Sequence, residues 1–169
     1  MRRTMGGDGV EMANVLTRPM FEWSTDYAVG IRQVDEEHRQ LFVLAERLHR
    51  AMLEGNGKAV LLNLLASVVD YTCYHFAHEE QLMERIGYPG YGQHQQEHRG
   101  LRSRVREMQD RAASGEMTMT MDVAQFLMEW IKHHIIASDR RIGNYMTTRY
   151  TRPDPSHSTM TPDRRRFSS

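Results

Sequence analysis

Four stretches of this chain have helical length, and each carries histidine on the stripe that a helix would turn towards its neighbours. The first stripe is His38, Leu41, Ala45, Leu48 and Met52; the second is Leu61, Leu65, Val68, Thr72, His75, Glu79 and Leu82. The third is His94, His98, Leu101, Val105, Met108 and Ala112; the fourth is Val123, Leu127, Trp130 and His134. Steps of three and four residues describe one face of a packed helix, and no segment shows the alternation of a half-buried strand. Breakers separate the stripes at Gly55-Asn56-Gly57, at Gly87-Tyr88-Pro89-Gly90-Tyr91-Gly92 and at Ser114-Gly115. Long helices joined by short connections predict an all-α fold, an antiparallel up-down-up-down four-helix bundle behind an N-terminal arm. Asp35 is expected to cap the first helix, with Glu36 and Glu37 at the positive end of its dipole.

A core stripe is an expensive place for histidine and glutamate unless they are paired or bound to something. Residues i and i+4 are neighbours on a helix, so His75 with Glu79, and His94 with His98, each aim two ligands at one point. Adding His38, His134 and Asp139 makes seven candidate metal ligands, five imidazoles and two carboxylates. That set is too large for one tetrahedral zinc and too rich in nitrogen for calcium. It suits two transition-metal ions sharing carboxylates, since imidazole binds iron, copper, nickel and zinc and carboxylate can bridge. His134 and Asp139 are five apart, about 140° round a regular helix. Both can serve one centre only if the helix widens locally, so a π-turn is expected between them. A lone pair at i and i+4 is ordinarily a surface pair; seven ligands on four core stripes are not. His49, His78 and His133 sit beside the stripes and His157 lies near the end of the chain; all four are expected to be solvated.

The rest of the composition narrows the class. Lys plus Arg and Asp plus Glu both total 22, so the balance offers no argument for nucleic acid or an acidic substrate. No run approaches the roughly 18 consecutive apolar residues of a membrane span. Two arginines open the chain without an apolar segment behind them, so no secretory signal is expected. The one cysteine, Cys73, excludes an internal disulfide and fits a reducing, cytoplasmic setting. Residues 1–19 lack periodicity, and 149–169 mix proline, serine and threonine with five arginines against two aspartates. Both are expected to be disordered extensions flanking a bundle at 20–148.

These residues carry a resemblance. Trp23, Tyr27-Ala28-Val29-Gly30-Ile31 ahead of Asp35 and His38, the block His75-Phe76-Ala77-His78-Glu79-Glu80, the His94/His98 pair, and Trp130-Ile131 leading to His134-Ile135 and Asp139 resemble the hemerythrin family, in particular its bacterial members. The match covers about residues 21–146. The related myohemerythrin is itself an up-down-up-down bundle, so resemblance and fold expectation are not independent. The resemblance implies a non-haem di-iron centre. One iron would be held by His94, His98 and His134, the other by His38 and His75. Glu79, Asp139 and an oxo or hydroxo group would bridge them, leaving one open position on the two-histidine iron. It implies reversible binding of dioxygen rather than enzymatic turnover. A di-iron enzyme (an oxidase, or a peroxide or nitric oxide scavenger) and a metal-responsive signalling module are the alternatives. Leu41, Phe76, Trp130, Ile131 and Ile135 are expected to line the ligand pocket. Relatives of this kind can be monomers or homo-oligomers.

Overall fold

The computed structural model describes residues 19–118 and 120–151; the expected N-terminal extension up to residue 18, and the basic tail from 152 onwards, lie outside them. The described chain is helical throughout. A short 3-10 turn (Thr25–Tyr27) leads into α1 (Arg32–Leu53), α2 (Lys58–Ile86), α3 (Tyr91–Ser114) and α4 (Met121–His134). A π-helical turn (Ile135–Asp139) joins α4 directly to α5 (Arg140–Thr151), so the last two form one rod. That rod runs past the expected boundary at 148. The three connections fall at the three expected breaks, and the four-helix bundle stands.

Local chemistry ends the helices where it should. Gly87 adopts φ 63° after α2, and its N–H returns to Glu84 and Met83 carbonyls. The Tyr88 N–H bonds to the Met83 carbonyl at 2.9 Å. This left-handed stop suits glycine, which has no Cβ to clash. The start of α1 differs from expectation. Asp35 is not the cap: the helix begins three residues earlier, at Arg32, with no side-chain cap. Asp35 instead reaches back from the first turn. Its carboxylate accepts the N–H groups of Val29 (2.7 Å) and Gly30 (3.2 Å), tying the N-terminal arm to the helix. The arm also lies hard against α5. A Cβ on Gly143 would sit 1.8 Å from the Val29 carbonyl oxygen, so only glycine permits this approach.

Packing places the polar stripe residues between two apolar zones. The larger contains Phe42, Leu48, Leu65, Val68, Val105 and Leu127; the smaller contains Met83, Ile86 and Ile142. Along α2 the order is Leu65 and Val68, then His75 and Glu79, then Met83 and Ile86. Among the described residues, α2 is the one helix apolar and long enough to cross a membrane, its best window having a mean hydropathy of 1.2. Polar residues such as Asn63 and Asp70 interrupt it, so no unbroken apolar run marks it in the sequence. Within the bundle it packs between α1 and α3 and buries Thr72, His75 and Glu79. Helices α3 and α4 pack less closely. Grooves of about 360 and 300 Å³ run along that side.

Candidate metal centre

All seven predicted ligands converge. Glu79, His94, His98, His134 and Asp139 form one group, and His38, His75, Glu79 and Asp139 a second; ligand atoms within each group lie within 4.8 Å of one another. The two carboxylates belong to both groups. Every member is buried, and His38, His98 and Asp139 are 0 % exposed.

The expected helix irregularity is what admits the last ligand. At Ile135–Asp139 the backbone opens into a π-turn, with the Arg140 N–H bonded to the Ile135 carbonyl five residues back. The extra residue in that turn rotates Asp139 onto the face of His134. Its Oδ1 then lies 3.1 Å from His134 Nε2.

The spacings inside the cluster fit an ion better than a hydrogen-bond network. His98 Nε2 lies 2.9 Å from His94 Nε2 and 3.1 Å from His134 Nε2. Glu79 Oε2 is 3.3 Å from both His94 and His98. Donors about 2.1 Å from a shared ion lie about 3.0 Å apart at an octahedral right angle and about 3.4 Å apart at a tetrahedral angle. The observed spacings span these two values. His38 Nε2 approaches Asp139 Oδ2 at 3.1 Å, yet both atoms lack hydrogen-bond alignment. Buried and without a hydrogen-bond partner are both His38 nitrogens, Glu79 Oε1 and both Asp139 oxygens. Such groups are costly unless something else meets them. Clustered as they are, these residues form groups that could hold a metal ion.

Carboxylates behind the cluster orient the imidazoles. His75 Nδ1 donates to Glu37 Oε2 at 3.0 Å, and His98 Nδ1 donates to Glu80 Oε1 at 3.0 Å. A proton held on Nδ1 leaves the Nε2 lone pair facing inward. Glu80 Oε1 also accepts from Arg102 at 2.9 Å, and Glu37 pairs with His78. Ligand residues alone cannot reveal these partners. Glu37 and Glu80 each flank a ligand in sequence, and the need of every ligating histidine for an outer acceptor is the signal that points to them. His78 is therefore neither a ligand nor fully solvated. His49 corrects the expectation more sharply: it is 5 % exposed, 3.3 Å from Glu46, with its ring against Phe21. Burying that ring lets Glu46 serve it and the Phe21 N–H together. His133 is exposed as expected, and His157 lies outside the described residues.

Electrostatics hold the carboxylates ionised. Burial alone would push Glu79 up, and Asp139 beside it adds to that, but the hydrogen bond from His94 and the charge of His75 help to hold it below the usual range. Asp139 is likewise held low against burial, by His134, His38 and His94. The histidines divide. Burial works against protonation of His94, but Asp139 and Glu79 keep its pKa at about 9. For His134 burial wins, and the value falls to about 4.

Of the five expected pocket residues, Leu41, Phe76, Ile131 and Ile135 are buried. Phe76 stacks on His98 with ring centres 3.8 Å apart and meets His134 at 5.5 Å. Trp130 packs edge-on against Phe76 at 6.2 Å and lines the groove of about 360 Å³ that also touches His134. Ile131 and Ile135 join the larger apolar zone. Trp23, on the N-terminal arm, lies over His38 at 6.3 Å.

Known proteins are similar to this chain. A family model described as the Hemerythrin HHE cation binding domain matches residues 29–143. This chain belongs to the hemerythrin family. A bacteriohemerythrin of Stenotrophomonas maltophilia is 34% identical over 118 residues, covering 70% of this chain and 76% of the relative. One from Methylococcus capsulatus is 26% identical over 125 residues, covering 73% of this chain and 95% of the relative. A crystal structure of wild-type hemerythrin superposes with a TM-score of 0.70 at 25% identity, covering 74% of this chain and 96% of that one. A hemerythrin with a leucine-to-alanine substitution gives a TM-score of 0.72.

Proposed function

We propose that this protein binds dioxygen reversibly at a non-haem di-iron centre, as a carrier, store or sensor, and is not an enzyme. The observation that carries the reading is the pair of buried ligand groups sharing Glu79 and Asp139, with His38 Nε2, Glu79 Oε1 and both Asp139 oxygens lacking a hydrogen-bond partner. In this reading His94, His98 and His134 hold one iron, and His38 and His75 hold the other. Glu79 and Asp139, common to both groups, would be shared between the two ions. The iron pair supplies the electrons that make dioxygen binding tight yet reversible. The side chains do the rest. Glu37 and Glu80 keep protons on Nδ1 of His75 and His98, so Nε2 stays free to ligate. The His38/His75 group has one imidazole fewer than its neighbour, so the small ligand would bind there. Leu41, Phe76, Ile131 and Ile135 keep the surroundings dry and supply no protons, and Trp23 and Trp130 close the outer walls. Asp139 and Glu79 remain ionised and bind as carboxylates. The bundle at 20–148 contains every part the function needs, which supports treating the flanking segments as extensions. A free Cys73 fits work in the reducing cytoplasm.

Reduction without oxygen, admission of air and then purging with inert gas tests the proposal. A coloured form that appears with air and fades on purging is the expected result. Irreversible oxidation with release of product would instead establish a di-iron enzyme. One zinc per chain and no iron would overturn the centre itself.

A further inference from the structure

Outside the centre, α3 gathers positive charge on one face. Arg99, Arg102 and Arg106 recur at steps of three and four residues, so their side chains rise from the same side of the helix. That side borders an open groove of about 800 Å³, whose wall also includes Ser103 and, from α2, Cys73. Like charges at such spacing repel. Among the described residues only one of the three guanidinium groups meets a carboxylate: Arg102 donates to Glu80 at 2.9 Å. Arg99 bonds to the neutral Gln95 one turn back. Arg106 has only the weak acceptor Cys73 Sγ, at 3.9 Å. Of the acids on the groove wall, Glu107 is engaged with Arg111, and Asp110 is the other.

Two guanidinium groups without counter-charge, and a third beside them, therefore face one groove. Planar forks of N–H donors match the several oxygens of a phosphate, and such charge-assisted bonds are the strong ones. A groove of this size holds far more than a bare anion. We propose that this face of α3 binds a phosphorylated small molecule of nucleotide size through Arg99, Arg102 and Arg106.

The site is wired to the centre through one oxygen. Glu80 Oε1 accepts from Arg102 at 2.9 Å and from His98 Nδ1 at 3.0 Å. A phosphate that draws Arg102 towards itself leaves Glu80 Oε1 to His98 alone, while Gln95 still donates to Oε2 at 3.2 Å. The His98 N–H bond then strengthens, and its Nε2 becomes a better donor. This linkage rests on the di-iron reading; the anion site does not.

Calorimetric titration of the full chain at about 50 mM salt, with ADP in one series and inorganic phosphate in another, separates the outcomes. Saturable binding of one ADP per chain is expected, with inorganic phosphate weaker. Arg99→Gln combined with Arg106→Gln should weaken ADP by about tenfold or more. Both positions are exposed, so circular dichroism should show the variant folded. Absence of saturable heat, or equal heat from the folded variant, overturns the site. Phosphate binding as tightly as ADP overturns the nucleotide size. For the linkage, iron(II) is titrated anaerobically with and without ADP. A shift of about fivefold in iron affinity is expected, and by reciprocity the same factor must appear in ADP affinity. Unchanged iron affinity with bound ADP overturns the linkage. A chain that takes up no iron would overturn the functional reading, while the calorimetry still decides the anion site.

Discussion

The two halves of the bundle are equally buried and chemically opposite. Leu48, Leu65, Val105 and Leu127 are no more than 1 % exposed, and so are His38, His75, Glu79, His98 and Asp139. In the apolar half burial is its own reward, about 1.5–3 kcal/mol for each large aliphatic side chain. In the ligand half the same burial strips water from carboxylates and imidazoles, at several kcal/mol per ion unless a partner restores what water supplied. The apolar half therefore folds the protein, and the ligand half is carried by it until an ion arrives. The bundle is a scaffold whose apolar zones make the stability that the ligand layer between them uses.

Removing the metal should break that comparison most visibly. A chelator should lower the thermal midpoint by on the order of 10 °C or more, because metal binding adds directly to folding free energy. Amide exchange should rise first around the π-turn at Ile135–Asp139 and least near Leu65. Uniform loss of protection would refute the division into two halves. Next in size is His38→Ala. The His38/His75 position has one imidazole fewer than its neighbour, so iron content should fall from two per chain to roughly one. An iron count that stays at two would contradict the assignment of ligands. Leu65→Ala probes the other half. It should cost about 2–5 kcal/mol in denaturant unfolding, as a truncated core leucine does. The loss should be the same with and without metal, with iron content unchanged. Loss of iron in that variant would mean that the halves are mechanically coupled.

What was legible in the sequence follows the same division. Stripes and breakers are local signals, and they place the four helices and all seven convergent ligands. The i to i+5 spacing of His134 and Asp139 even requires the π-turn, because no regular helix presents both. Less legible were contacts made across helices by residues off the stripes. Glu37 serves His75 from α1, and Glu80 serves His98 from α2; neither pairing has a spacing that a single helix can encode. Asp35 looked like a cap because it precedes an apolar stripe, whereas the left-handed Gly30 (φ 83°) turns the arm's N–H groups back over the first helical turn. His49 looked solvated because its partners, Glu46 and Phe21, come together only when the arm docks.

The smallest effect is the dependence of the metal-free protein on pH, and it sharpens the comparison within the ligand half. Unfolded, His94 and His134 both titrate near 6.5; folded, they sit at about 9 and about 4. The raised His94 stabilises the fold fully below pH 6.5, and that contribution is lost as pH climbs towards 9. His75, also raised, moves the same way. The depressed His134 acts in reverse: its contribution is complete above 6.5 and is lost as pH falls towards 4, where the unfolded chain takes the proton more readily. Glu37 and Glu80, both held below 4.5, add a further loss in stronger acid. The thermal midpoint of the metal-free protein should therefore peak near pH 6.5. Iron must displace the His94 proton, since ligating imidazoles are neutral. In the loaded protein the alkaline decline should vanish and the acid decline should steepen, as protons compete with the ion for His94. A metal-free midpoint that rises steadily to pH 9 would show His94 unprotonated in the folded cluster. Glu79 and Asp139 would then lose one counter-charge and depend on His75 to keep both ionised.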